Sequence, residues 1–247
     1  MKAERSVQLA LLDVQALDSE LLQLSHRAKT LPEIAHIAEL DEKLATLNDN
    51  RVKAQTELSD QERALKKSEE EVELVRTRRV RDEERLNSGA ITNPKDLTNL
   101  QNEIAAIDRR IGVLEDAELE IMETLEAARA VADQAVALTS EADAAKAELV
   151  TARDTQLAEI EAKRADLLAD REVAVPRVSE DLLALYTKLA GQYGGLAAGV
   201  LERGRCSACR LELNSSDLRE VLAKPADDVV RCPECNRILV RTLDAGA

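Results

Sequence analysis

The chain's only cysteines form two matched pairs: Cys206-x-x-Cys209 and, after twenty-two intervening residues, Cys232-x-x-Cys235. Thiolates are soft ligands, and two short-spaced pairs suit tetrahedral zinc with metal–sulfur distances of about 2.3 Å. Four sulfurs close the coordination sphere, whereas a catalytic zinc keeps one position open. Rubredoxin-like iron uses the same ligands but calls for an aromatic shell, and the chain has no Phe or Trp. A thiol-redox pair needs a single Cys-x-x-Cys in a strand–helix setting. The expectation is one structural Zn2+. The residue after each pair often needs positive φ, which Asn236 tolerates and Arg210 does not readily explain.

Arginines crowd this segment. Arg205, Arg210, Arg231, Arg237 and Arg241 are candidate nucleic-acid contacts through phosphate, although no aromatic platform for stacking accompanies them. A second basic group, Arg76, Arg78, Arg79, Arg81, Arg85 and Lys95, lies mid-chain. It suits RNA, DNA or an acidic partner, or else forms a solvated face paired at helical spacing with Glu73, Asp82, Glu83 and Glu84. His26 and His36 lie apart on charge-rich helical stretches. With no phosphate loop and no nucleophile–base arrangement, the sequence predicts neither an enzyme nor a small-molecule substrate.

The elements that must position these residues are helical. Charged residues make up 33% of the chain and aromatics 1%, with eight Gly and five Pro, a composition of long helices and coiled coils. The net charge of −14 is uneven. Residues 1–202 hold 26 basic and 41 acidic residues, so nucleic acid is repelled along most of the chain and any contact with it is local. No apolar run is long enough to span a membrane. The first twenty residues, broken by Gln8, Asp13 and Gln15, do not read as a signal peptide. A reducing cytoplasm is expected, where paired cysteines favour metal over disulfide.

Apolar residues step by threes and fours through Val7, Ala10, Val14, Leu17, Leu21, Leu24, Ala28 and Leu31, a narrow seam for one partner helix. Pro32 predicts a kink. The ladder resumes from Ile37 to Leu86, and residues 87–94 read as a turn in which Asn93 caps the next helix and Pro94 occupies its first position. A third seam runs from Leu97 towards Pro176, becoming alanine-rich over Ala127–Ala147. Arms of matched length predict an antiparallel hairpin in which paired residue numbers sum to roughly 180; the competing arrangement is a compact bundle of three or four helices. A further helix is expected over Ser179–Ala190, then a flexible or tightly packed junction at Gly191, Gly194, Gly195 and Gly199. Short strands are expected at Leu211–Leu213, Val229–Arg231 and Ile238–Val240, with a helix between Ser215 and Leu222. Tyr186 and Tyr193 are expected to pack the tail on the rod. The fold class is therefore mainly α: a long kinked antiparallel coiled-coil hairpin over 1–200, followed by a small zinc ribbon over 201–247.

Two motifs, Arg85-Leu86…Gly89…Thr92-Asn93-Pro94-Lys95-Asp96-Leu97 and Cys206-Ser-Ala-Cys209…Cys232-Pro-Glu-Cys235-Asn-Arg-Ile-Leu239, make the chain resemble a bacterial family of coiled-coil proteins with a C-terminal four-cysteine zinc ribbon. The resemblance covers essentially the whole chain. It implies a non-enzymatic adaptor with a protein partner, in some members a sigma factor of the nitrogen type, and a ribbon proposed to bind RNA or DNA. Asn236 and Arg210 replace the glycines or histidine frequent in that family. The expected function is an adaptor whose coiled coil binds protein and whose ribbon docks nucleic acid or protein. The alternative is a nucleic-acid-binding regulator acting through the ribbon and the hairpin tip, with Arg78, Arg79, Arg81, Asn93, Pro94 and Lys95 as tip residues.

Overall fold

The computed structural model describes residues 1–242; positions 243–247 of the expected ribbon segment lie outside the described residues. Three helices dominate: α1 (Arg5–Lys29), α2 (Pro32–Asn87) and α3 (Pro94–Ala174). After a 3-10 turn at Val175–Arg177 come α4 (Glu180–Gln192), β1 (Ala198–Glu202), β2 (Arg205–Cys206), α5 (Ser215–Ala223), β3 (Val230–Arg231) and β4 (Ile238–Arg241). The chain divides into two units, residues 35–150 and the remainder.

Residues 35–150 form the hairpin rather than a compact bundle. Its interior is thin: Ala54 and Leu58 of α2 meet Leu125 and Ala132 of α3, with Leu65 and Ala135 beside them. Two helices bury only one stripe each, so cross-helix ion pairs reinforce the seam: Glu71–Arg110 at 3.0 Å, Arg76–Glu115 at 2.5 Å and Asp41–Lys146 at 2.5 Å. Each is largely open to solvent and contributes little by itself. In the alanine-rich stretch the buried positions are Ala132, Thr139 and Ala142, and Thr139 satisfies its own hydroxyl on the Ala135 carbonyl at 2.8 Å. Glu71–Arg110 follows the expected numbering, whereas Arg79–Asp108, Arg76–Glu115 and Asp41–Lys146 are each offset by several residues. Register follows the fit of successive side chains, which equal counting from the turn does not capture.

The turn is built as the sequence indicates. Gly89 has φ 70°, and the Asn93 carboxamide oxygen accepts from the Lys95 N–H at 3.0 Å. Pro94 opens α3, where its missing N–H costs nothing. At the other break, Thr30 caps α1 through the carbonyls of His26 and Arg27, and Pro32 starts α2.

The second unit departs from the narrow-seam expectation. The face of α1 buries Gln8, Ala10, Leu11, Val14 and Gln15, a stripe too wide for a single partner helix. Leu11 and Val14 join Leu182, Tyr186 and Leu189 of α4 and Ala197, Ala198, Ile238 and Val240 of the sheet in one core. Asp18 anchors its rim, accepting from the Tyr186 hydroxyl at 2.7 Å and from Arg171 Nε at 2.5 Å.

The sheet has the order β2-β1-β4-β3, with β1 and β4 parallel and the outer pairings antiparallel. Strand β1 begins inside the stretch expected as a flexible or tightly packed glycine junction, at Ala198 and Gly199, and Gly199 is the tightly packed one. Gly194 and Gly195, at φ 65° and 92°, turn the chain out of α4, and the following residues then pair along β4. Leu211–Leu213 is not a strand; only Glu212 bridges, to Arg205. Helix α5 is capped one residue earlier than expected, because the Asn214 side chain accepts from Ser216 and Asp217 N–H groups at 3.0 and 2.9 Å.

Candidate metal centre

Each cysteine pair sits on a turn closed by the same two backbone bonds. In the first, Arg210 N–H donates to the Cys206 carbonyl at 2.7 Å and Cys206 N–H to the Leu211 carbonyl at 3.0 Å. In the second, Asn236 donates to Cys232 at 2.8 Å and Cys232 to Arg237 at 2.9 Å. Arg210 and Asn236 both take positive φ, at 65° and 60°. For Asn236 this is a tolerated conformation; for Arg210 it is strain of order 1–3 kcal/mol that the surrounding knuckle sustains.

The four sulfurs all lie within 4.8 Å of one another, and those of Cys209 and Cys232 are 3.9 Å apart. A tetrahedron of sulfurs around zinc at about 2.3 Å has edges of about 3.8 Å, so the thiols fit the ion with little movement. Cys206 and Cys232 are buried and Cys209 and Cys235 half-buried. Leu201, Leu213, Val221, Val230 and Leu239 surround them as a second small core. Zn2+ in this site would be held by the four thiolates alone, a structural role.

Burial pushes the Cys206 thiol above its ordinary range, partly opposed by backbone N–H groups of Cys209 and Ala208. Burial likewise pushes Cys232 up to about 12. At Cys235 burial also raises the value, but bonds from the Arg237 backbone, the neighbouring thiols and the Arg237 side chain outweigh it, and the thiol lies below its usual value.

The first knuckle docks on β1 at close range. Ser207 engages both polar groups of Val200: its hydroxyl accepts from the N–H at 2.8 Å and its N–H donates to the carbonyl at 2.9 Å. A Cβ at Gly199 would stand 2.7 Å from Ala208 Cβ and 2.8 Å from Ala208 N. Gly199→Ala should therefore destabilise this end by about 1–3 kcal/mol and weaken zinc retention, as read by urea denaturation and chelator competition; an unchanged midpoint would contradict the close packing.

The five ribbon arginines separate into two groups. Arg241 is spent inside the fold, donating to the carbonyls of Val221, Lys224, Pro225 and Asp228 at 2.6–3.1 Å. Arg237 donates to the Leu196 carbonyl at 2.6 Å and lies 4.8 Å over the Tyr193 ring. Arg205 makes a loose exposed pair with Glu212 at 3.5 Å. Arg210 and Arg231 are exposed, and their side chains have no ion pair among the described residues. They adjoin Cys209 and Cys232, whose sulfurs are 3.9 Å apart.

At the hairpin tip, most arginine pairing crosses between helices instead of following helical spacing. Arg79 reaches Asp108 at 2.5 Å and Glu83 at 2.9 Å, while Arg78 pairs with Glu103 and, at 3.7 Å, with Asp82. Arg81 and Lys95 remain exposed without an ion pair among the described residues. Asn93 and Pro94 serve the turn. His26 and His36 are exposed.

Sequence reasoning missed Gln8 and Gln15. Gln15 accepts from the Ala197 and Ala198 N–H groups at 2.7 and 2.9 Å and donates to the Gly195 carbonyl at 3.0 Å. Gln8 donates to the carbonyls of Ala3 and Ala226 at 2.8 and 3.1 Å. Their spacing of seven inside an apolar stretch was the available signal, since it places two polar groups on one helical face.

Residues 14–194 match the CT398-like coiled coil hairpin domain, and residues 205–239 the C4-type zinc ribbon domain. An uncharacterized protein of Mycobacterium tuberculosis is 36% identical, covering 98% of both chains. One from Mycobacterium leprae is 33% identical, covering 93% of this chain and 97% of its own. A solved structure from Mycobacterium smegmatis, 34% identical, superposes with a TM-score of 0.84 over 98% of this chain and 100% of that one. CT398 from Chlamydia trachomatis shares the fold at 17% identity, with a TM-score of 0.65 over 96% and 98% of the two chains. With a hairpin of long helices, four clustered thiols and these matches, the chain belongs to the CT398-like coiled-coil hairpin family and carries a C4-type zinc ribbon near its C-terminal end.

Proposed function

We propose that this protein is a non-enzymatic cytoplasmic adaptor: the helical part, residues 1–200, binds a protein partner, and the ribbon, residues 201–247, is a docking head for protein or nucleic acid. The carrying observation is the hairpin's surface. Leu74 is 72% exposed and Val113 68%, with Leu119, Met122 and Val131 also open to solvent. Large apolar side chains left on the flanks of a two-helix seam supply contact area for another protein. Among the described residues no helix is long and apolar enough to cross a membrane. A transcription-related protein such as a sigma factor is the partner class that the family resemblance suggests.

The second reading is nucleic-acid binding. It is favoured by Arg210 and Arg231 beside the joined knuckles, with Arg205 and the tip residues Arg81 and Lys95 as further cations; Arg237 and Arg241 are committed to internal carbonyls. Quantitative pull-down from native extract separates the readings. Under the adaptor reading, discrete proteins recovered by the full chain are lost with Leu74→Asp/Val113→Asp and survive nuclease and Arg210→Gln/Arg231→Gln. Recovery that depends on nuclease-sensitive material and falls steeply with salt overturns it in favour of the second.

A further inference from the structure

Arg237 touches more of the molecule than its position in a short surface turn suggests. Its Nε donates to the Leu196 carbonyl at 2.6 Å, and its guanidinium carbon lies 4.8 Å from the centroid of the Tyr193 ring. Its peptide carbonyl accepts from Cys232 N–H at 2.9 Å. One residue thus joins the second cysteine pair to the segment linking α4 to β1.

The chemistry of the donor set gives that contact a purpose. Four thiolates around Zn2+ carry two net negative charges, and a half-buried site needs donors and a cation nearby to hold them. Among the ribbon arginines, Arg237 is the one whose peptide carbonyl closes a cysteine knuckle while its side chain bonds the segment outside it. Planar stacking on Tyr193 and the carbonyl bond fix its fork in place, which a flexible Lys ammonium would not reproduce.

We propose that Arg237 is a positioning residue of the metal centre: it holds the second cysteine knuckle against the α4–β1 link and transmits occupancy of the site to Tyr193 and Leu196. Metal binding would then tighten the α4–β1 link, and disturbance of that link would weaken metal binding.

The test uses the full chain, with Zn2+ as the probe and a chromophoric chelator as competitor. Arg237→Gln should weaken zinc affinity about 10- to 100-fold. Arg231→Gln removes the same charge next to Cys232 from an exposed residue with no side-chain partner, and should leave affinity within about twofold. Tyrosine emission is the second readout, because Tyr186 and Tyr193 are the chain's only aromatic residues. Zinc addition to apo protein should change emission in the wild type, and the change assigned to Tyr193 by its loss in Tyr193→Phe should also vanish in Arg237→Gln. Arg237→Lys keeps the positive charge without the fork; it is expected to fold, recover part of the affinity and still lack the tyrosine response. Equal losses for Arg231→Gln and Arg237→Gln would reduce the effect to general electrostatics and overturn the proposal. So would a wild-type tyrosine response in Arg237→Lys.

Discussion

Removal of zinc should loosen the helical end of the protein as well as the ribbon. The cause is β4, which is buried on both faces: Leu239 packs among the cysteines, while Ile238 and Val240 pack against Leu11, Val14 and Tyr186. Successive strand residues point to opposite sides, so the strand that closes the metal core also roofs the helical core. Structural zinc contributes about 10–16 kcal/mol apparent. At roughly 2–4 °C per kcal/mol for a unit of this size, chelation should lower its thermal midpoint by about 20 °C or more. Hydrogen exchange at the Leu11 and Val14 amides should accelerate, while the far-ultraviolet signal of residues 35–150 persists. Acidification should mimic chelation, because the ligands must be deprotonated to bind and burial pushes the Cys206 and Cys232 thiols above their ordinary range. Intact protection at Leu11 and Val14 in chelated protein would refute the coupling.

Replacing Gln15 with leucine should be more damaging than the apolar character of α1 suggests. Gln15 is 5% exposed, and its carboxamide serves the N–H groups of Ala197 and Ala198 and the carbonyl of Gly195. Leucine matches the volume and the heptad pattern, yet strands the buried N–H groups of Ala197 and Ala198 and releases the Gly195 carbonyl. Each buried orphan costs about 1–3 kcal/mol, so Gln15→Leu should destabilise this unit by roughly 3 kcal/mol or more in urea denaturation. Gln8→Leu should cost less, since Gln8 serves only carbonyl oxygens, which tolerate being unpaired better than N–H groups do. A near-neutral Gln15→Leu would mean that the β1 backbone finds other partners.

The hairpin was largely legible because its determinants are local. Pro32 and the turn through Gly89, Asn93 and Pro94 act within a few residues of themselves, and heptad spacing requires only that another apolar stripe exist. The metal centre was legible for a related reason: four matched thiols admit few chemistries, and their spacing sets the two knuckles. The wide face of α1 was not legible. Gln8 and Gln15 read as interruptions because the partners that explain them, Ala226 for Gln8 and Ala197 for Gln15, lie more than 170 residues away in the chain.

The sequence by itself determined the helices, the turn and the identity of the metal ligands, since short-range geometry and ligand chemistry leave few alternatives. Only the tertiary structure decided that the glycine-rich junction runs into a strand at Ala198, that α1 recognises the backbone there, and that Arg237 and Arg241 face inward instead of towards a ligand. The physical reason is that backbone hydrogen-bonding groups are the same at every residue and carry no signature in sequence. Which polar side chain satisfies them is settled only when distant segments meet and water is excluded.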